Sequence, residues 1–153
     1  MDTIELSGLP FPPSVNALYA GKTRRYKSDK AKDYDKAFDI WLFKNRGAVR
    51  SAESLVRELE HNQDIFLELT LDYVIPRKDL YTKKGTVKRI DVTNRIKSLL
   101  DKLAEAITID DNRFFLGRVQ FLLGPYKYVN IGINTTRIRG VNNGKKESNE
   151  KES

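Results

Sequence analysis

The residues best suited to chemistry lie between Lys88 and Arg113, in the run KRIDVTNRIKSLLDKLAEAITIDDNR. Asp91 opens it, Lys97 and Asp101 follow, and Asp110 and Asp111 close it. A hard divalent cation such as Mg²⁺ binds through one or a few carboxylates together with water and substrate phosphate, so carboxylates from two separated segments could hold one between them. A lysine near such a cation would stabilise charge on a reacting phosphate. Each residue also has an ordinary reading. Asp91 or Thr93 would cap a helix, Lys97 and Asp101 would form an exposed i, i+4 pair, and Asp110-Asp111-Asn112 would make a turn.

These residues need an element to position them. Ile96, Leu99, Leu100, Leu103 and Ile107 recur at helical spacing, which predicts a helix from about Asp91 or Thr93 to Ala106 with one buried stripe. Asn94, Lys97 and Asp101 fall in line on another side of it. Asp91 then sits at the helix mouth, and the acidic pair follows its far end, just before an apolar run that reads as a strand.

The wording of these segments resembles a known family. Asp91-Val92-Thr93-Asn94, then Ile96-Lys97, Leu100-Asp101 and Ile109-Asp110-Asp111 are similar to the signature of the RusA family of Holliday junction resolvases. Leu9-Pro10-Phe11-Pro12-Pro13-Ser14-Val15-Asn16-Ala17-Leu18-Tyr19 resembles that family's entry loop. The likeness runs over roughly residues 4 to 135 and is thin between Ala48 and Gln63. It implies an endonuclease that cuts four-way DNA junctions by paired nicks in recombination and repair, leaving a 5′ phosphate. The implied catalytic residues are Asp91, Lys97 and Asp111. Asp91 and Asp111 would hold Mg²⁺, or Mn²⁺ in its place, assisted by Asp110 or Thr93, with Asn94 and Asp101 behind them. The carboxylates would meet within one chain or across a dimer contact. The family's second acidic position is Thr93 here, a neutral and weaker ligand. That departure keeps two alternatives open: a less selective flap or fork nuclease, and a junction-binding protein with reduced catalysis.

Composition agrees with a polyanionic partner. The 153-residue chain carries a net charge of +7, which favours nucleic acid. It has no cysteine and one histidine, His61, so thiol chemistry and multi-histidine metal sites are excluded within one chain. The N-terminus lacks the regions of a signal peptide and no apolar run approaches a membrane span, which leads to the expectation of a cytoplasmic protein in a bacterium or a phage-infected one.

Two basic clusters suit phosphate contact. Lys22 to Lys27 includes Arg24, Arg25 and Lys27; the run Arg77 to Arg89, a loop or ragged hairpin, includes Lys83, Lys84, Lys88 and Arg89 and leads into Asp91. With Ser14, Val15, Asn16 and Ala17 they form the expected DNA-binding set. A solvated loop is the plainer reading of the second cluster.

The remaining elements follow from period and punctuation. Residues 3 to 8 read as a strand ended by Pro10, Pro12 and Pro13. Ser28 is placed to cap a helix to about Asn45, with Tyr34, Phe38, Trp41 and Leu42 inward and Arg46-Gly47 as its stop. A shorter helix is expected over 52 to 59. Alternation over 65 to 75 predicts the clearest strand. Two strands, 114 to 123 and 128 to 134, read as a hairpin about Gly124-Pro125, with Val129, Ile131 and Ile133 inward. The sum is an α/β (α+β) domain over 1–139, a mixed sheet of about four strands with two or three packed helices, RusA-like and homodimeric by resemblance. The polar sequence of 140–153 predicts a disordered tail.

Overall fold

A computed structural model describes residues 3–13, 19–20, 26–88 and 92–140; for residues 19, 20, 26, 27, 92 to 94 and 111 it describes the main chain alone. The expected tail, beyond residue 140, lies outside the described residues.

Among the described residues one mixed sheet of four strands forms the frame, in the order β1 (Ile4–Leu9), β6 (Tyr128–Arg137), β4 (Ile65–Ile75) and β5 (Phe114–Leu123). Strand β4, Ile65–Ile75, is central because its alternation gives it a continuous apolar face. Leu67, Leu69, Leu71, Tyr73 and Ile75 are at most 1% exposed. β6, Tyr128–Arg137, pairs antiparallel with β4 and contributes Val129, Ile131 and Ile133 to the same face, all fully buried as the sequence predicts. β1, Ile4–Leu9, pairs antiparallel with the far side of β6. A two-stranded ribbon of β2, Tyr19–Ala20, and β3, Tyr26–Lys27, stands apart from this sheet.

The predicted hairpin is corrected. Strand β5, Phe114–Leu123, pairs parallel with β4, and β4 separates it from β6. The cause lies in the connection: β5 leaves a long helical crossover from β4, which suits parallel pairing, and the strongest strand then takes a partner on each edge. Residues 124 to 127 cross the end of β4, where the Gly124 amide bonds the Ile75 carbonyl at 3.2 Å.

Helices cover one face of the sheet. Helix α1, Asp29–Lys44, starts as expected at Ser28, whose hydroxyl accepts from the Ala31 amide at 3.2 Å. It buries Tyr34, Phe38 and Trp41, and the Trp41 indole donates to the Ser7 carbonyl of β1 at 2.8 Å. Helix α2, Arg46–Leu59, is longer than predicted and holds Gly47 inside it. Asn45 ends α1 and begins α2, and Val49 continues the stripe of Ala52, Leu55, Val56 and Leu59 one turn earlier. The first helix ends where expected, just before Arg46-Gly47, and one residue suffices for the bend; the start of the second helix, expected near Ala52, is corrected to Arg46. A one-turn helix, α3, Arg77–Leu80, follows β4.

Candidate active site

Helix α4, Val92–Ile107, carries the predicted stripe. Leu99, Leu103 and Ile107 are at most 1% exposed, and Ile96 and Leu100 pack beside them. Opposite this stripe Lys97 and Asp101 face solvent, with Nζ and Oδ2 3.7 Å apart and side chains 63% and 51% exposed. A pair so exposed adds little stability, so the Lys97 ammonium stays available to an incoming anion.

The first turns of α4 hold the proline loop. Arg95 donates to the Pro12 carbonyl at 2.8 Å, and the Ser98 hydroxyl donates to the Pro13 carbonyl at 3.1 Å. The Arg95 guanidinium lies 5.4 Å from the Phe11 ring centroid, and the Lys127 ammonium 5.5 Å. Phe11 also meets Tyr73 edge-on at 5.5 Å. Two motifs some eighty residues apart in sequence thus converge at one end of the helix. Burial pushes the Tyr34 and Tyr73 hydroxyls above the ordinary phenol range, so neither acts as a base at neutral pH.

At the other end the chain turns sharply. Thr108 adopts φ +58°, in the left-handed region usually left to glycine. Ile109 donates its amide back to the Ala104 carbonyl at 3.0 Å, closing the helix. Asp110 is exposed, and its carbonyl accepts from the Arg113 amide at 3.0 Å within a 3₁₀ turn over Asp111–Arg113. Arg113 clamps this turn to the start of β4, donating to the Asn62 carbonyl at 2.9 Å and to the Ile65 carbonyl. Asp110 lines a cleft of about 300 Å³ with Leu59, Glu60, Gln63 and Thr108.

Of the two forms expected for the basic run, the ragged hairpin is the one found. Tyr81 and Val87 bridge, the Thr82 and Thr86 hydroxyls lie 2.7 Å apart, and Gly85 takes φ +84° at the tip. Lys83 and Lys84 are exposed on that tip. Lys88 is exposed as well and donates to the Lys78 carbonyl at 3.1 Å. Replacing Lys83 and Lys84 together by alanine should weaken DNA binding alike for all sequences. The slope of log affinity against log salt should fall by about 2, since each lysine contributes about one phosphate contact. Filter binding over a salt series reads it.

Several expected site residues fall outside the described residues: Ser14, Val15, Asn16, Ala17, Arg24, Arg25, Arg89 and Asp91 entirely, and the side chains of Lys27, Thr93, Asn94 and Asp111. Among the described residues no cluster of three acids or histidines forms a metal site. Arg95, Ser98 and Arg113 did not stand out in the sequence. Their partners are main-chain carbonyls, which leave no mark on residue identity. Among the described residues no helix is long and apolar enough to cross a membrane.

No curated protein matches the chain in sequence. One solved structure it resembles is 2C-methyl-D-erythritol 2,4-cyclodiphosphate synthase from Plasmodium vivax, at 13% identity and a TM-score of 0.28. That overlap covers 60% of this chain and 57% of the other, and it is too slight to carry an argument. The description "Endodeoxyribonuclease RusA" belongs to a family model that matches residues 10–133, which takes in both the proline loop and the acidic turn after α4. With most of its length so matched, and with the two motifs joined through Arg95 and Ser98, the chain belongs to the RusA endodeoxyribonuclease family, hydrolases that cut DNA.

Proposed function

We propose that the protein resolves four-way DNA junctions as a homodimer, using a divalent cation, Mg²⁺ or Mn²⁺, in the cytoplasm of a bacterium or a phage-infected one. The observation that carries this reading is the docking of the Pro10 to Pro13 loop on the first turns of α4. It brings the two family motifs, the entry loop and the start of the Asp91 to Lys97 segment, to one place.

The donor set suits a hard cation. Asp91, Asp110 and Asp111 offer carboxylate oxygens, and Thr93 a neutral hydroxyl. When bound, such a cation lowers the pKa of a water and neutralises phosphate charge. Asp91 and Asp111 hold it, and Asp110 or Thr93 completes the oxygen set. Lys97 steadies charge developing on the phosphate, and Asn94 and Asp101 orient these groups. Lys83, Lys84 and the segment after Pro13 hold the DNA arms.

Helix length bears on how the acids would meet. The 16 residues of α4 span about 24 Å. Asp91 precedes one end, while the Arg113 clamp fixes Asp110 near the start of β4, at the other. That length supports a meeting of the carboxylates across a dimer contact, with Asp91 of one chain beside Asp111 of the other. A two-fold pair of such sites suits paired nicks in strands of like polarity.

Incubation of the protein with a labelled synthetic four-way junction, with Mg²⁺ and with EDTA, tests the reading. Symmetric nicks that vanish with EDTA are expected. Cutting confined to flaps would make it a less selective branched-DNA nuclease. A shifted band without product would make Thr93 the mark of a binding protein.

A further inference from the structure

Four segments far apart in sequence enclose a cavity beside the proline loop: that loop, α1, the start of α4 and the connection from β5 to β6. Phe11, Pro12 and Ala37 give it apolar walls, and Lys30, Arg95 and Lys127 bring three cationic groups to it. Its volume is about 380 Å³, at the lower end of the ~300–1,000 Å³ that small-molecule clefts span. That admits one flat ring with its sugar and phosphate and leaves no room for the stacked neighbours of a duplex.

The charge of this cavity is one-sided. Asp33 is the one acid in the described lining, and among the described residues Lys30, Arg95 and Lys127 form no ion pair. Arg95 and Lys127 gather instead about the Phe11 ring, 5.4 and 5.5 Å from its centroid. Lys30 and Lys127 are exposed and meet an anion arriving from solvent. Two polar groups of the lining side chains, the Tyr34 hydroxyl and Arg95 Nε, are buried with no hydrogen-bond partner. Both can donate, and a buried donor without an acceptor costs free energy. Cations about an aromatic ring, with donors lacking acceptors, suit a ligand that is flat, anionic and rich in acceptors. Inorganic phosphate alone meets the charge and leaves the apolar walls unused.

We propose that this cavity takes one unpaired nucleotide of the DNA substrate, its base packed against Phe11 and Pro12 and its phosphate met by Lys30 and Lys127. The inference rests on the nuclease reading above and deepens it. Asp91 immediately precedes α4 in the sequence, and Arg95 lies in the first turn of that helix. The seat and the expected metal ligand are therefore one helical turn apart along the chain, roughly 5 Å of axis, which sets the captured nucleotide close to the bond to be cut. A base inside a duplex must first leave its partner and its stack, at a cost that falls where pairing is already disturbed. The cavity thereby favours branched DNA over linear duplex.

Gel-shift titration without Mg²⁺ tests this on labelled four-way junctions in which each nucleotide around the crossover is replaced in turn by an abasic residue. Wild-type affinity should fall about tenfold at one position, in the range of one stacked base, and change little at the others. Phe11→Leu keeps an apolar side chain against Tyr73 and removes the ring, so the abasic penalty at that position should largely vanish. A variant that is merely destabilised weakens intact and abasic junctions alike and keeps the wild-type ratio. Lys127→Ala, at an exposed site, should weaken both junctions by the same factor and lower the slope of log affinity against log salt by about 1. No sensitive position in the wild type, a Phe11→Leu variant that keeps the full penalty, or an unchanged salt slope in Lys127→Ala would each overturn the proposal. Cutting of intact junctions with Mg²⁺ is scored separately. Normal cutting with no sensitive position removes the cavity's role and leaves the nuclease reading, whereas a sensitive position without cutting keeps the cavity's role in binding and removes that reading.

Discussion

Replacing Asp111 by Asn should abolish junction cutting and leave junction binding at or above the wild-type level. The amide has the size of the carboxylate and can still accept a hydrogen bond, but it lacks the charge that holds a hard cation. Loss of that cation removes several kcal/mol of charge stabilisation at the transition state. At about 1.4 kcal/mol per decade, a loss of about 4 kcal/mol slows cutting by about a thousandfold. Binding depends on different groups. The chain's charge of +7 and its basic runs provide long-range attraction for phosphate, and removing one negative charge near the scissile bond slightly strengthens it. Single-turnover cutting of a labelled junction and a gel shift without Mg²⁺ read the two effects apart. Asp110→Asn, one residue earlier on the same turn, should slow cutting less. If Asp111→Asn cuts at the wild-type rate, the assignment of Asp111 as a ligand is wrong.

The features legible in the sequence were those with a local period. The stripe Leu99, Leu103, Ile107, the alternation of Leu67 to Tyr73, and the Ser28 cap each depend on residues within a turn or two of one another. Features that depend on distant main chain were not legible. The exchange of the expected β5–β6 hairpin for a sheet with β4 between them follows from competition for β4's edges, which no window on either strand contains. The end of the first helix before Arg46-Gly47 was legible, but the second helix was expected only from 52 because helix propensity counts Gly47 against it; the apolar stripe from Val49 to Leu59 outweighs one glycine. The chemistry proposed for the site comes from residue types in their motif. A helix from Asp91 to Ala106 sets the acids that flank it in sequence more than 20 Å apart, at about 1.5 Å per residue, a consequence that reading residue types alone does not draw out.

Lys97→Met provides the sharpest separation of chemistry from structure, with an expected loss of about a hundredfold to a thousandfold in cutting rate and little change in stability or junction affinity. The magnitude is that of removing one fixed donor from a developing oxyanion. The structure explains why stability should not follow. Lys97 is 63% exposed and has one described ion pair, with Asp101 at 3.7 Å, and exposed pairs of this kind contribute at most about 1 kcal/mol. The methionine keeps the aliphatic stem and helix propensity, so urea denaturation should show a midpoint near that of the wild type. Asp101→Asn is the matched control. If the pair has only a surface role, the two variants behave alike and both cut at nearly the wild-type rate. If Lys97 meets the phosphate, its loss is severe while Asp101→Asn costs a few-fold at most, because Asp101 acts only by orienting the ammonium. Lys97→Arg retains the charge but spreads it over a planar fork, so partial recovery in that variant would assign the role to charge, and none would assign it to the compact ammonium.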